Sequence, residues 1–299
     1  MSLALGLLAV TVMGASGSLV AAHNGAIGAR LGPWRAARVF MVVGSACALA
    51  LVLAFERGAF GAASLASLPP YALVPGLING LVVAAVIRLV RRLGTVQTTA
   101  SVFTGSVTVG LLLDHVGAFD LPTMAVNGPR LLGAACLVAG VVLMASRSST
   151  ATLHGAAIRP ASSRLVVAAL SCGALDAVGV AMNTTLAVTA GPFSATVAFL
   201  LPGALLMSMV LAGRTAPVAP LRASDLVPGV WNVAALALAL SVIPIVGLHL
   251  ANGARFAAAV AAGTAVDHLG AFGGVRIAVD ARRIAASALL IGGVMVSIP

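Results

Sequence analysis

Apolar residues are concentrated in ten runs of about 20 residues, which short polar or glycine-containing connections separate. Because the hydrocarbon core of a bilayer is about 30 Å thick, one such run can cross it as a helix. The pattern therefore predicts an all-α integral membrane protein with ten transmembrane helices. The predicted spans are 3–22, 35–55, 71–90, 94–113, 128–146, 165–183, 193–212, 225–243, 247–266 and 282–298.

The second half of the chain repeats the first. The segment GLLLDHVGAF at 110–119 recurs as GTAVDHLGAF at 263–272, an offset of 153 residues, and an offset of 159 relates the first two spans to the sixth and seventh. Each copy has five predicted spans, and an odd number inserts the second copy upside down relative to the first. We therefore expect two inverted five-helix repeats, 1–146 and 164–299, joined by a cytoplasmic linker at 147–163.

The third and eighth spans carry matching prolines and asparagines. Pro75 and Asn79 correspond to Pro228 and Asn232. Proline removes a backbone donor, and the freed carbonyl must face protein or a wet cavity. Interrupted spans at equivalent places in both halves indicate a midplane binding site, although a kink that serves packing would explain the same pattern. We expect these four residues and Trp231 to line a cavity.

The fourth span carries a polar stripe. Gln97, Ser101, Thr104 and Thr108 are spaced by four, three and four residues and share one helical face. Such side chains either line a polar path or bond their own backbone and a neighbouring helix. We expect the stripe to line the cavity, and only the first copy has it.

Polar residues also recur at the predicted span ends. Asp114-His115 ends the fourth span and Asp267-His268 ends the ninth. Because the helix dipole disfavours a carboxylate at a helix C-terminus, a neighbouring group must compensate. The two pairs lie at opposite faces, so we predict structural turns, with gating or proton handling as the alternative. Asn24 and Asn183 are predicted to cap helix ends at the membrane edge.

The basic residues indicate how the chain is oriented. All 17 are arginines, and only 8% of the residues are charged. Most arginines lie at span ends, so we interpret the net charge of +10 as membrane orientation and expect no nucleic-acid binding. Fourteen lie on the face that holds the linker, whereas Arg57 and Arg130 lie on the other. The positive-inside rule therefore predicts that both termini lie outside the cytoplasm.

Three cysteines, Cys47, Cys136 and Cys172, lie within apolar runs and lack metal-ligand spacing. They are expected to be small core residues, so we predict neither a disulfide nor a metal site, and no cofactor.

Two charges break the symmetry of the repeat. Asp176 lies deep in the sixth span, where the first copy has Gly17, and Arg255 lies inside the ninth span. From the helical rise, Asp176 is about 18 Å from the cytoplasmic edge and Arg255 about 12 Å from the outer edge, so their depths nearly coincide. Intramembrane charges usually line substrate or proton pathways. We predict proton coupling or substrate binding for both, with a structural ion pair as the alternative.

The two five-span copies, each with an Asp-His-x-Gly-Ala-Phe turn, a following arginine and a last span containing glycine, resemble the YdcZ family of the drug/metabolite transporter superfamily. The resemblance covers the whole chain as a fused pair of units. It implies the ten-helix fold of that superfamily, a central cavity between the halves, and an inner-membrane exporter. It identifies no substrate.

We therefore expect a secondary transporter for proton-linked export of a small metabolite or drug-like solute. The alternative is a non-transporting membrane scaffold that binds a partner. An enzyme is not expected, because Asp176 has no nucleophile or metal-ligand set beside it. The expected partners are the solute and the lipid bilayer, and the protein is expected to be a monomer or a homodimer.

Overall fold

The structure is a computed structural model that describes residues 3–56, 71–121, 123–145, 152–153, 156–157, 162–212, 219–246, 248–273 and 276–297. These residues contain ten α-helices and one short hairpin, Thr152–Leu153 with Ala156–Ala157. The helices are α1 (Leu3–Leu31), α2 (Pro33–Phe55), α3 (Val74–Leu93), α4 (Thr95–Val116), α5 (Gly128–Ala145), α6 (Ser163–Ala190), α7 (Pro192–Leu211), α8 (Val227–Val246), α9 (Leu248–Leu269) and α10 (Ala281–Ser297).

Within the described residues, six helices are long and apolar enough to cross a bilayer, judged by length and composition: α2, α3, α4, α6, α7, and α8 with the turn before it. The chain is therefore a multi-pass membrane protein. Most of the predicted linker and both chain ends lie outside the described residues.

The first and sixth helices are longer than their predicted spans. They end at Leu31 and Ala190, and the glycines that follow, Gly32 and Gly191, have φ angles of 84° and 94° that suit glycine. A proline then begins the next helix. Asn24 and Asn183 lie about two turns before these ends, so their predicted helix-end position is wrong. The predicted spans are about 20 residues long because that length matches the thickness of the bilayer, whereas these two helices are longer than 20 residues.

The proline positions also differ from the prediction. Pro75 and Pro228 lie in the first turns of α3 and α8 rather than inside them. A missing backbone donor costs little there, because the first turn has no intrahelical acceptor for it. The two helices are therefore not interrupted at these residues, and the predicted interruption of the two spans is wrong.

Extensive helix packing joins the two halves, through α5 with α10, α4 with α6, α1 with α9 and α2 with α7. Glycines allow the closest of these crossings. A Cβ added to Gly14 would overlap the backbone of Arg255, and one added to Gly173 would overlap the backbone of Val102. Small residues at a crossing let helix backbones approach each other in a membrane. The interlocked helices hold each half against the other around a shared interior.

Candidate functional site

Helices from both halves line a cavity of about 200 Å³. It is lined by α1 to α4 and by α6 to α9, while α5 and α10 pack on each other. Most of its wall is apolar, from residues such as Val83, Phe103, Val180 and Leu236. Its polar and charged lining residues are Asn24, Asn79, Thr99, Asp176, Asn232 and Arg255.

Two ends of the molecule can be distinguished by their polar contacts. At the first end, the C-terminus of α1 meets the start of α8, and the Arg30 guanidinium forms an ion pair with the carboxylate of Asp225. At the second end, α6 ends and α7 begins, and the carboxylate of Glu56 accepts hydrogen bonds from the backbone N–H groups of Phe193 and Ser194 at 2.9 and 2.8 Å. These contacts join neighbouring helices at both ends.

Most of the cavity lies in the half of the molecule nearer the first end, and Asn79 and Phe199 line its part toward the second end. Asn24 lies about two turns before the end of α1, and Thr99 about one turn after the start of α4. Asn232 lies similarly close to the start of α8. Asp176 and Arg255 come from the middle parts of α6 and α9, so they form the deeper part of the wall.

Asp176 and Arg255 come from different helices and meet at this one cavity. Their charges interact electrostatically. The guanidinium carbon of Arg255 also lies 5.5 Å from the ring centroid of Phe103, at cation–π distance. Among the described residues, no group donates a hydrogen bond to the Asp176 carboxylate, which leaves its oxygens available to a proton or a bound solute.

The cavity has free space beside Gly17, the residue of the first half that corresponds to Asp176. Gly17 lines the cavity, and a Cβ built there has no heavy atom within 4 Å. Because only one of the two equivalent positions carries a carboxylate, the cavity is chemically asymmetric.

Asparagine side chains line the cavity from three helices. Asn79 and Asn232 were singled out by sequence, whereas Asn24 was expected at a helix end. Asn24 is 5% exposed, and its Oδ1 atom is buried without a hydrogen-bond partner. The Gly32-Pro33 pair in the sequence could have revealed its position, because that pair ends α1 two turns later.

The other residues predicted to line the cavity lie elsewhere. Pro75 and Pro228 are buried in the first turns of their helices, and Trp231 is 49% exposed on the surface of α8. Trp231 is therefore wrongly predicted as a lining residue. Asn232, the next residue along the helix, points to a different face and reaches the cavity.

The polar stripe of α4 faces away from the cavity. Its buried residues are Gln97, Ser101 and Thr104, with Thr108 partly buried, and the Gln97 amide donates to the Ser101 hydroxyl at 3.2 Å. On the same helix the cavity is lined by Thr99, Val102 and Phe103. The prediction of a lining stripe fails because spacing identifies residues that share a face and leaves open which neighbour that face meets.

In each Asp-His pair, the aspartate is buried and the histidine is exposed. The Asp267 carboxylate accepts hydrogen bonds from the backbone N–H groups of Thr95 and Val96, both at 3.1 Å, and lies 3.4 Å from Arg283. It therefore caps the N-terminus of α4 in the other half, which is the compensation that the helix dipole requires. His268 is exposed.

In the first copy, Asp114 is fully buried and His115 is exposed. The backbone N–H of Met124 donates to the carbonyl of Asp114 at 2.8 Å, as that of Ile277 does to Asp267. Neither aspartate lines the cavity of Asp176.

Two segments of the chain, 5–143 and 164–296, match the family described as "Putative inner membrane exporter, YdcZ". The chain belongs to the YdcZ family. Since both halves match, this YdcZ protein carries two copies of the family unit, as the resemblance predicted. It is a multi-pass inner-membrane protein of an exporter family, and its partners are the lipid bilayer and a small-molecule solute.

No curated protein matches the sequence of this YdcZ chain. A solved structure called "Crystal structure of protein" is similar to it with a TM-score of 0.67 and 18% sequence identity. The similarity covers 98% of this chain and 94% of that one. At this identity the similarity shows a shared fold alone.

Proposed function

We propose that this YdcZ protein is a secondary transporter that exports a small metabolite or drug-like solute in exchange for protons. The observation that carries the proposal is the placement of Asp176 and Arg255, two intramembrane charges, on one cavity between the halves. Charged groups at membrane depth usually serve solute or proton pathways. In this proposal all ten helices cross the membrane, as two inverted repeats with boundaries at residues 146 and 164.

Charge balance in the cavity provides the coupling. Ionised Asp176 and Arg255 carry opposite charges that interact, and a proton that binds to Asp176 removes the negative charge of that pair. A solute carboxylate can then take the place of Asp176 as the partner of Arg255. A cationic solute can instead replace the proton on Asp176. A cation that replaces the proton is exchanged for it, whereas an anion that binds together with the proton moves in the same direction as the proton. Both routes keep the buried charge near neutral and link movement of solute to movement of protons, and the first is the proton exchange proposed here.

The test compares single and double variants in liposomes, with a solute identified by a thermal-shift screen. Asp176→Asn keeps the size of the side chain but removes its titration, so we expect solute binding to persist and proton-driven accumulation to fall at least tenfold. Arg255→Ala should weaken binding of an anionic solute. Proton-driven transport at the wild-type rate in Asp176→Asn would overturn the coupling.

A structural ion pair makes a different prediction. Both single variants would then be unstable, because each leaves one buried charge uncompensated, and the double variant Asp176→Asn with Arg255→Ala would recover folding and transport. A protein that binds the screened solute but moves none of it would instead fit the scaffold alternative.

We also propose that both chain ends lie outside the cytoplasm, since fourteen of the 17 arginines lie on the opposite face. A reporter fused after residue 299 is then active in the periplasm and inactive in the cytoplasm. Cytoplasmic activity would reverse the orientation without affecting the repeat.

A further inference from the structure

Two buried asparagines form hydrogen bonds between neighbouring helices toward the second end. The Asn183 amide nitrogen donates to the carbonyl of Ala195 at 3.0 Å, linking α6 to α7. The Asn79 amide nitrogen donates to the carbonyl of Phe199 at 3.2 Å, linking α3 to the same helix. Both acceptors lie in the first half of α7, so the two bonds draw one helix against two neighbours.

The equivalent asparagines toward the first end do not make these bonds. Under the repeat, Asn24 corresponds to Asn183 and Asn232 to Asn79. Both line the cavity, and within the described part of the chain neither side chain has a hydrogen bond. The difference lies in the amide nitrogens, because the Oδ1 atoms of Asn24 and Asn183 are both buried without a hydrogen-bond partner.

The acceptors for the missing bonds are present. Ala195 and Phe199 correspond to Ala36 and Phe40 on α2. A Cβ built on Gly229 of α8 lies 2.8 Å from the carbonyl oxygen of Phe40, much as one on Gly76 of α3 lies 2.6 Å from that of Ala198. The helix that carries Asn232 is thus already close to the α2 backbone, and Phe40 itself lines the cavity.

We propose that these four asparagines are positioning residues that alternate their hydrogen bonds as the protein exchanges between two states. In the state described here, Asn79 and Asn183 are bonded and most of the cavity lies toward the first end. In the other state, Asn232 bonds to the carbonyl of Phe40 and Asn24 to that of Ala36. Asn79 and Asn183 are then released, and the cavity lies toward the second end. The inference rests on the proposed transport function, because it assigns these residues to the step that moves the cavity.

The strength of such bonds suits a reversible exchange. Hydrogen bonds between membrane helices are weak, and removal of one shifts an equilibrium by roughly threefold to tenfold. Because each state keeps two of the four bonds, neither state is strongly favoured by them, and modest binding energy from a solute can shift the populations.

Two reporter positions distinguish the states. Val86 lines the cavity, and its repeat counterpart Ala239 is fully buried. In a background with Cys47, Cys136 and Cys172 replaced by alanine, Val86→Cys and Ala239→Cys are introduced separately. Their reaction rates with a small polar maleimide are then measured in nanodiscs, which expose both faces of the membrane.

The paired variant Asn79→Leu with Asn183→Leu should increase the ratio of labelling at 239 to labelling at 86 by roughly ten- to hundredfold. Asn24→Leu with Asn232→Leu should lower the same ratio. Opposite shifts from equivalent substitutions are the expected result, because a purely structural role would weaken folding without moving the ratio. If the double variants fail to fold, Asn79→Ala and Asn232→Ala test the same opposition, each at about threefold to tenfold.

Asn127→Leu is the control, because the Asn127 side chain accepts the backbone N–H of Arg130 at 3.0 Å at the start of α5, away from the cavity. It should leave the ratio unchanged. Shifts in the same direction for both asparagine pairs, or unchanged ratios in folded variants, would overturn the exchange. Opposite shifts in a protein that moves no solute in liposomes would support the exchange and contradict the transport proposal instead.

Discussion

The crossing of α1 with α9 and the crossing of α4 with α6 share a backbone arrangement but differ in chemistry. Gly14 lies against the backbone of Arg255, and its counterpart Gly173 lies against that of Val102. Arginine in one crossing therefore occupies the place of valine in the other. Close approach requires only that each glycine lacks a side chain, so the opposing residue can change without loss of the contact.

One turn beyond each glycine, the charged residue belongs to the other crossing. Gly17 follows Gly14 on α1, whereas Asp176 follows Gly173 on α6, and both positions line the cavity. The repeat thus keeps the residues that bring backbones together and varies the charged residues of the interior. The comparison teaches that the shared positions build the scaffold, whereas the unshared ones carry the charges of the cavity.

The largest expected effect comes from closing one crossing. Gly173→Ala places a Cβ in overlap with the backbone of Val102, which cannot move aside as a side chain can. We expect destabilisation by about 3 kcal/mol or more, measured as loss of monodisperse protein and a lower Tm in detergent. Gly17→Ala is the matched control, because it meets open space. Equal stability of the two variants would contradict the comparison.

A smaller effect is expected at the repeated turns. Asp267→Asn removes the charge that faces the N-terminus of α4 and the buried guanidinium of Arg283. Since Asn retains one acceptor oxygen, we expect a loss of about 2 kcal/mol in unfolding free energy, read from chemical denaturation in micelles. His268→Ala, next to it and exposed, should change stability little. A similar loss for both would mean that the pair acts as one unit.

The smallest effect is expected at Trp231, which is a neighbour of a cavity residue in sequence but lies on the helix surface. Trp231→Leu keeps an apolar surface, so stability should change by less than about 0.5 kcal/mol and solute affinity should be unchanged. Asn232→Leu provides the contrast, because it alters the cavity wall. A change in affinity for Trp231→Leu would place that side chain in the solute path.

Prediction from sequence succeeded where the signal was local or repeated. The all-helical class, several membrane-crossing helices and the YdcZ family are supported by the structure and the family match. Sequence also singled out Asp176 and Arg255, which line one cavity, although their roles stay predictions. It failed at Asn24 and Asn183, where the helices continue about two turns beyond the predicted spans, and at Pro75 and Pro228, which lie in the first turns of their helices.

The sequence by itself determined the composition of each helix, the duplication and the positions at which the copies differ. These features depend only on the hydrophobicity and the type of each residue along the chain. Tertiary structure decided which helical face meets which neighbour. Thr99 lines the cavity while the Gln97 stripe does not, and Asp267 caps a helix of the other half. These outcomes depend on how helices distant in sequence rotate and cross, and the spacing of residues within one helix contains no information on its partners.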